Sequence, residues 1–162
     1  MNQTEHNRSI LSQRLVRYGP LVLWTGVILF ASTGGFSAGN TSRIIRPLLI
    51  WLFPNISEAQ LASVHFSTRK AAHFIEYAIL AFLARRAFIT STRESLKTHW
   101  FVWSLILIVV VAIIDELHQS FVPARTGSMY DSGIDIAGGL TVLLACWVFR
   151  RRRSGLASSL PE

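Results

Sequence analysis

Residues 115–139 read DELHQSFVPARTGSMYDSGIDIAGG, with WFVWSLILIVVVAII before them at 100–114 and LTVLLACWVF after them at 140–149. The stretch carries four carboxylates, a His, a Gln and an Arg between two runs apolar enough to lie in a bilayer. Ionised side chains in such a place are costly unless they are paired or put to use. The pattern therefore predicts membrane helices that hold a polar cluster at one face of the membrane.

Composition agrees. Apolar residues make up 51% of the chain and charged residues only 15%, with a mean hydropathy of +0.39, which suits a small bundle of membrane helices better than a soluble core. The net charge of +7 does not indicate nucleic acid, because the basic residues fall in clusters between apolar segments and not along one stripe. The single cysteine, Cys146, lies inside an apolar run, so no internal disulfide can form and a buried, inert thiol is expected.

The expected fold is all-α: one domain over 1–162, a four-helix transmembrane bundle with spans at about 18–36, 69–87, 100–117 and 132–149. The run from Tyr18 to Phe36 exceeds a usual signal-peptide core and is followed by further spans, so it reads as a membrane helix. Phe36 to Ser42 reads as a loop. Ile44 to Phe53 is too short to cross and holds Arg46 and Pro47, so it is expected in the interface, with Trp51 at head-group depth. Ser57 and Gln60 stand at capping-box spacing and open a short helix through His65, with Thr68 as N-cap of the second span. Trp100 and Trp103 read as interface anchors. The N-terminus, the loop after span two and the C-terminus together hold eleven Lys and Arg. The opposite side holds Arg43, Arg46, Arg69, Lys70 and Arg125, so the excess predicts an N-in, C-in protein.

Depth brings the polar residues together. Asp115 lies about 22 Å from the inner end of its span, Asp135 about as far, His73 about 18 Å and Glu76 about 14 Å, all short of a hydrocarbon core of roughly 30 Å. Lys70, His73, Glu76 and Tyr77 share a face of span two, Asp115, His118 and Gln119 one of span three, and Asp131 and Asp135 one of span four. Three readings follow. The charges could be ion pairs that only fix helix packing, in a non-catalytic structural or partner-binding protein. However, Glu76, Asp115, Glu116, Asp131 and Asp135 outnumber the cations Lys70 and Arg125, so His73 and Glu76 with Asp115 and Asp131 could hold a divalent metal. Alternatively, Arg125, Lys70 and His73 recognise a phosphate or carboxylate head group, with Glu76 or Asp131 as base or acid. A proton pathway is disfavoured, since the inner halves of the spans are apolar. Gly138 and Gly139 most simply allow close helix contact.

Two segments resemble a known family. KAAHFIEYAILAFL at 70–83, with the stretch at 115–139, looks like the paired signature of VanZ-like membrane proteins, roughly K-x-x-H-F-x-E-Y and D-E-x-x-Q-x-F-x-P-G-R-x-x-S-x-x-D-x-x-x-N-x-x-G. Lys70, His73, Phe74, Glu76 and Tyr77 match the first pattern. Asp115, Glu116, Gln119, Phe121, Pro123, Arg125, Ser128, Asp131 and Gly138 match the second. Ala124 replaces the usual Gly, and Asp135 stands where the family has Asn. The resemblance implies a bacterial inner-membrane protein of a family associated with low-level resistance to the glycopeptide teicoplanin. It supplies no reaction, and no nucleophile arrangement or phosphate loop is visible.

The leading expectation is thus a cell-envelope factor with an outward-facing pocket that binds a membrane lipid or lipid-linked envelope precursor and holds acid and base groups suited to modifying it. The catalytic candidates are His73, Glu76 and Asp131. The binding candidates are Lys70, Tyr77, Asp115, Glu116, Gln119, Arg125 and Asp135. No cofactor is expected beyond the divalent-metal option. The basic tails are expected to meet anionic lipid, and nucleic acid is not expected as a partner.

Overall fold

The computed structural model describes residues 3–33, 38–122 and 129–157. Six helices follow in order: α1 (Gln3–Ala31), α2 (Ala38–Leu52), α3 (Glu58–Ile89), α4 (Glu94–Thr98), α5 (Trp100–Ser120) and α6 (Met129–Ala157). No strand occurs among the described residues, so the all-α class holds. By length and composition α1, α5 and α6 can cross a membrane. The longest helix, α3, is kept out of that set by the charges on Arg69, Lys70, Glu76, Arg85 and Arg86.

α3 is the axis of the molecule and touches each of the other five helices. Its start is fixed locally: Ser57 Oγ accepts from the Gln60 N–H at 3.3 Å while Gln60 Oε1 accepts from the Ser57 N–H at 2.9 Å. The helix then runs through Thr68 without the break expected there. No Gly or Pro lies between Glu58 and Ile89, and a mid-helix Thr costs too little to end a helix. Its buried face carries His73 and Tyr77 toward the N-terminal half, then Leu80, Ala81, Ala84 and Ala87. The small side chains in the second half let neighbouring helices close in, which dispersion packing requires where lipid is the competing solvent.

α1 is docked by two polar contacts to α3 and a third to Ser91 just past its end. Pro20 has no N–H, which frees the Val16 carbonyl one turn earlier, and Arg86 Nη1 donates to that oxygen at 3.4 Å. Trp24 Nε1 donates to the Glu76 carbonyl at 2.9 Å, and Tyr18 Oη meets Ser91 Oγ at 2.8 Å. α1 ends at Ala31, earlier than the expected 36, with Ser32 Oγ turned back onto the Ile28 carbonyl at 3.3 Å. Phe36 lies outside the described residues. The expected loop up to Ser42 is in fact helical from Ala38, and the helix runs on through Pro47 to Leu52. α2 leaves Leu48, Trp51, Leu52 and Phe53 exposed, and Arg46 pairs with Glu58 of α3 at 2.5 Å.

Trp100 is a correction to the anchor reading. It is buried, with Arg85 lying 5.5 Å over its ring and Phe101 edge-on at 5.7 Å, whereas Trp103 is exposed. α6 closes the bundle against α3 and α5, and its glycines set the distance. A Cβ at Gly138 would lie 2.2 Å from the backbone oxygen of Phe74, and one at Gly139 would meet the Ile108 side chain at 2.8 Å. Gly133, on the same helix, has nothing within 4 Å.

These three glycines make a measurable series. Gly138→Ala should destabilise the detergent-solubilised protein by about 2 kcal/mol, because a backbone atom cannot step aside, and Gly139→Ala by less, since Ile108 can repack. Gly133→Ala should be neutral or stabilising by roughly 0.5 kcal/mol. Thermal unfolding of the three variants in one detergent checks the order.

Candidate functional site

The polar groups of three helices meet at one end of the bundle. Lys70 and His73 lie in the first half of α3, Asp115 and Gln119 near the end of α5, and Asp131 and Asp135 near the start of α6. Chain direction alternates between these helices, so residues far apart in sequence arrive at one depth. Two contacts join α3 to α6. Lys70 Nζ pairs with Asp131 Oδ1. One turn further along, His73 Nδ1 and Asp135 Oδ1 are 3.0 Å apart. An ionised carboxylate only accepts, so Nδ1 carries the proton and Nε2 is left as the free nitrogen.

Asp115 completes the cluster from α5. One donor atom from each of His73, Asp115 and Asp135 lies within 4.8 Å of the other two. Gln119 Nε2 donates to Asp115 Oδ2 at 3.1 Å, and Arg69 Nη2 donates to Gln119 Oε1 at 3.4 Å. Arg69 Nη2 is also 3.9 Å from Asp131 Oδ2. Asp115, Gln119, Asp131 and Asp135 are all buried. Among the described residues, Asp115 Oδ1 and Asp135 Oδ2 have no hydrogen-bond partner, nor has the Tyr77 hydroxyl.

A cavity of about 330 Å³ opens beside this cluster. Its polar wall is His65, Arg69, His73 and Glu76 of α3 with Asp115 and Gln119 of α5. The apolar wall is Ile28 and Ala31 of α1, Ile45 of α2 and Phe66 of α3. Of the sequence candidates, His73, Glu76, Asp115 and Gln119 line it. Asp131 is engaged by Lys70 and lies off the cavity, as does Asp135, which reaches it only through His73. Tyr77 is fully buried in the interior, and Glu116 is half-buried beside Asp115. His118 is exposed and points away from Asp115 and Gln119, because a 3-residue step plus a 1-residue step cannot both stay on a narrow buried stripe. Arg125, with Pro123 and Ser128, lies outside the described residues.

The sequence reading missed Arg69. It treated that residue as the flank of a span, although Arg69 and His73 are four apart on one helix and so share a face. It also gave α1 and α2 no part in the site, yet they form its apolar wall. The expected metal set of His73, Glu76, Asp115 and Asp131 is replaced in space by His73, Asp115 and Asp135.

The family model for VanZ/LLP1 matches residues 18–150, which takes in α2 to α5 entirely, most of α6, the second half of α1 and every residue of the cluster. The chain belongs to the VanZ/LLP1 family. No curated protein and no solved structure matches it. Family and apolar helices together mark a VanZ-like membrane protein. Asp135, one of the two positions at which the sequence departs from the resemblance noted above, is the residue that receives His73.

The Lys70–Asp131 pair should behave as a packing element. Lys70→Met, which leaves a buried carboxylate facing only the longer Arg69 contact, should destabilise the bundle by roughly 3 kcal/mol, and adding Asp131→Leu should recover most of that loss. Unfolding of the single and double variants in the same detergent reads the difference.

Proposed function

We propose that this protein is a four-span inner-membrane protein of the cell envelope, with both termini inside, whose cavity binds the phosphate head group of a membrane lipid or lipid-linked envelope precursor. α3 serves as the fourth span. Its charged face is turned to α5, α6 and the cavity, which reconciles its composition with a place in the bilayer, and Arg85 and Arg86 mark its inner end. α2, with Trp51 and Phe53 exposed, lies in the outer interface, and the basic tails meet anionic lipid.

The observation that carries this reading is the two-sided cavity: one wall is apolar and supplied by α1 and α2 with Phe66 of α3, the other polar and supplied by α3 and α5. Such a site suits an amphiphile that enters with its chain against Ile28, Ile45 and Phe66 and its head against Arg69 and His65. Arg69 makes only long contacts within the protein, 3.4 Å to Gln119 and 3.9 Å to Asp131, so its guanidinium retains donors for a phosphate. With no ion bound, His73, oriented by Asp135, lines the same space and keeps one ring nitrogen unprotonated, the arrangement a general base requires. The family's association with teicoplanin resistance directs the search for the ligand to the cell envelope.

The competing reading, a structural or partner-binding protein, draws on the Lys70–Asp131 pair. It does not explain why a cavity adjoins the buried acids. Binding decides between them. Native mass spectrometry of the purified chain with phosphatidylglycerol or a polyprenyl phosphate should show one bound lipid. Arg69→Gln should weaken it about ten-fold, the worth of one charge-assisted contact, and Ile45→Trp should fill the apolar wall and weaken it likewise. Equal binding by both variants and the unaltered protein contradicts the head-group site.

A further inference from the structure

We propose that His73, Asp115 and Asp135 form a site for one divalent transition-metal ion, Zn²⁺ or Mn²⁺, with an open coordination position facing the cavity. Three helices each contribute one ligand, so the site exists only in the assembled bundle. The donor atoms lie within 4.8 Å of one another. Around a tetrahedral ion with bonds of about 2.0–2.2 Å, ligand atoms stand roughly 3.4 Å apart. His73 Nδ1 and Asp135 Oδ1, at 3.0 Å, are already near that spacing, so an ion takes the place of the proton they share, and that proton passes to Nε2 so that the imidazole stays neutral. Asp115, with a donor atom within 4.8 Å of the other two, has to close by at most about 1.4 Å to reach the same spacing.

Independent of the clustering, two oxygens point to a cation. Asp115 Oδ1 and Asp135 Oδ2 are buried and have no hydrogen-bond partner among the described residues, while their second oxygens are held by Gln119 and His73. Asp115 is 2% exposed and Asp135 fully buried. Among the described residues neither nearby cation forms an ion pair with Asp115 or Asp135: Lys70 pairs with Asp131, and Arg69 reaches Gln119 and Asp131 at 3.4 and 3.9 Å. Two half-satisfied carboxylates beside one imidazole leave negative charge without compensation in a low-dielectric site, and a dication supplies it. One nitrogen and two carboxylate oxygens suit Zn²⁺ and Mn²⁺, and neither requires a thiolate. Gln119, donating to Asp115, acts as the outer partner that orients a ligating carboxylate. His73 and Asp115 line the cavity whereas Asp135 does not, so the fourth position opens where the phosphate of the proposed lipid would sit. That last placement rests on the head-group reading; the ion site does not.

The test uses the whole chain in detergent, stripped with a chelator and then titrated with Zn²⁺ or with Co²⁺ as a visible-absorbing substitute. One ion per chain is expected, with Co²⁺ giving the intense d–d bands of four- or five-coordination. Asp115→Asn and Asp135→Asn, which keep the side-chain shape, should each weaken Zn²⁺ binding at least ten-fold, and Glu58→Gln on the exposed start of α3 should not change it. His73→Ala should abolish the Co²⁺ spectrum. Binding well below one ion by the unaltered protein, or equal affinity in both Asn variants, overturns the site. Lipid binding measured on the same samples separates the two claims: lipid retained without an ion rejects only the metal site, and an ion retained without lipid rejects only the head-group site.

Discussion

The contact between α3 and α6 governs this protein. Along one seam it combines a tight backbone approach, where Gly138 meets Phe74, with two polar links, Lys70 to Asp131 and His73 to Asp135. In a hydrocarbon environment a buried carboxylate has no water to fall back on, so every such group must find its partner on another helix. Gly138 makes that possible, because without the close approach the short Asp side chains of α6 could not reach α3. The seam therefore fixes the register of α6, and with it the position of Asp135 beside Asp115 on α5.

The other helices follow from that seam. α3 carries too much charge to face lipid on all sides, and it is covered by α5 and α6 along its polar face and by α1 on the flank. α1 attaches through groups the sequence leaves unsatisfied: the carbonyl that Pro20 frees takes Arg86, and the Trp24 indole takes the Glu76 carbonyl. α2 then lies against the first turns of α3, where Ser42 meets His65 at 3.2 Å, and this leaves the cavity between the two flanking helices and the buried cluster. Structure and site thus share one cause, the need to satisfy polar groups carried by a central helix.

Much of this was legible in the sequence, for definite reasons. Uncharged runs of fixed length pointed to a meeting of Asp115, Asp135 and His73, which the structure shows, and the 3.6-residue period gave the shared face of Lys70, His73 and Tyr77. Gly138 and Gly139 read as contact glycines in the sequence, and both meet a neighbouring helix. Less was visible where the outcome depends on which helix lies beside which. Nothing local told Asp131 from Asp135 as the partner of His73, since both face α3 and only the register separates them. The cavity wall from Ile28 and Ile45 depends on how α1 and α2 dock, and periodicity is silent on that. The continuity of α3 through Thr68 was readable from the absence of Gly and Pro, but a polar residue at a span boundary looked like a cap.

The account rests on α3 crossing the membrane with its charges turned inward. In a Cys146→Ser background, single cysteines introduced as Glu58→Cys, Phe82→Cys and Thr90→Cys can be probed in intact cells with a membrane-impermeant maleimide. The account predicts labelling of the Glu58 position from outside, of the Thr90 position only after the membrane is permeabilised, and none at the lipid-facing Phe82 position. Labelling of the Glu58 and Thr90 positions from the same side would contradict it.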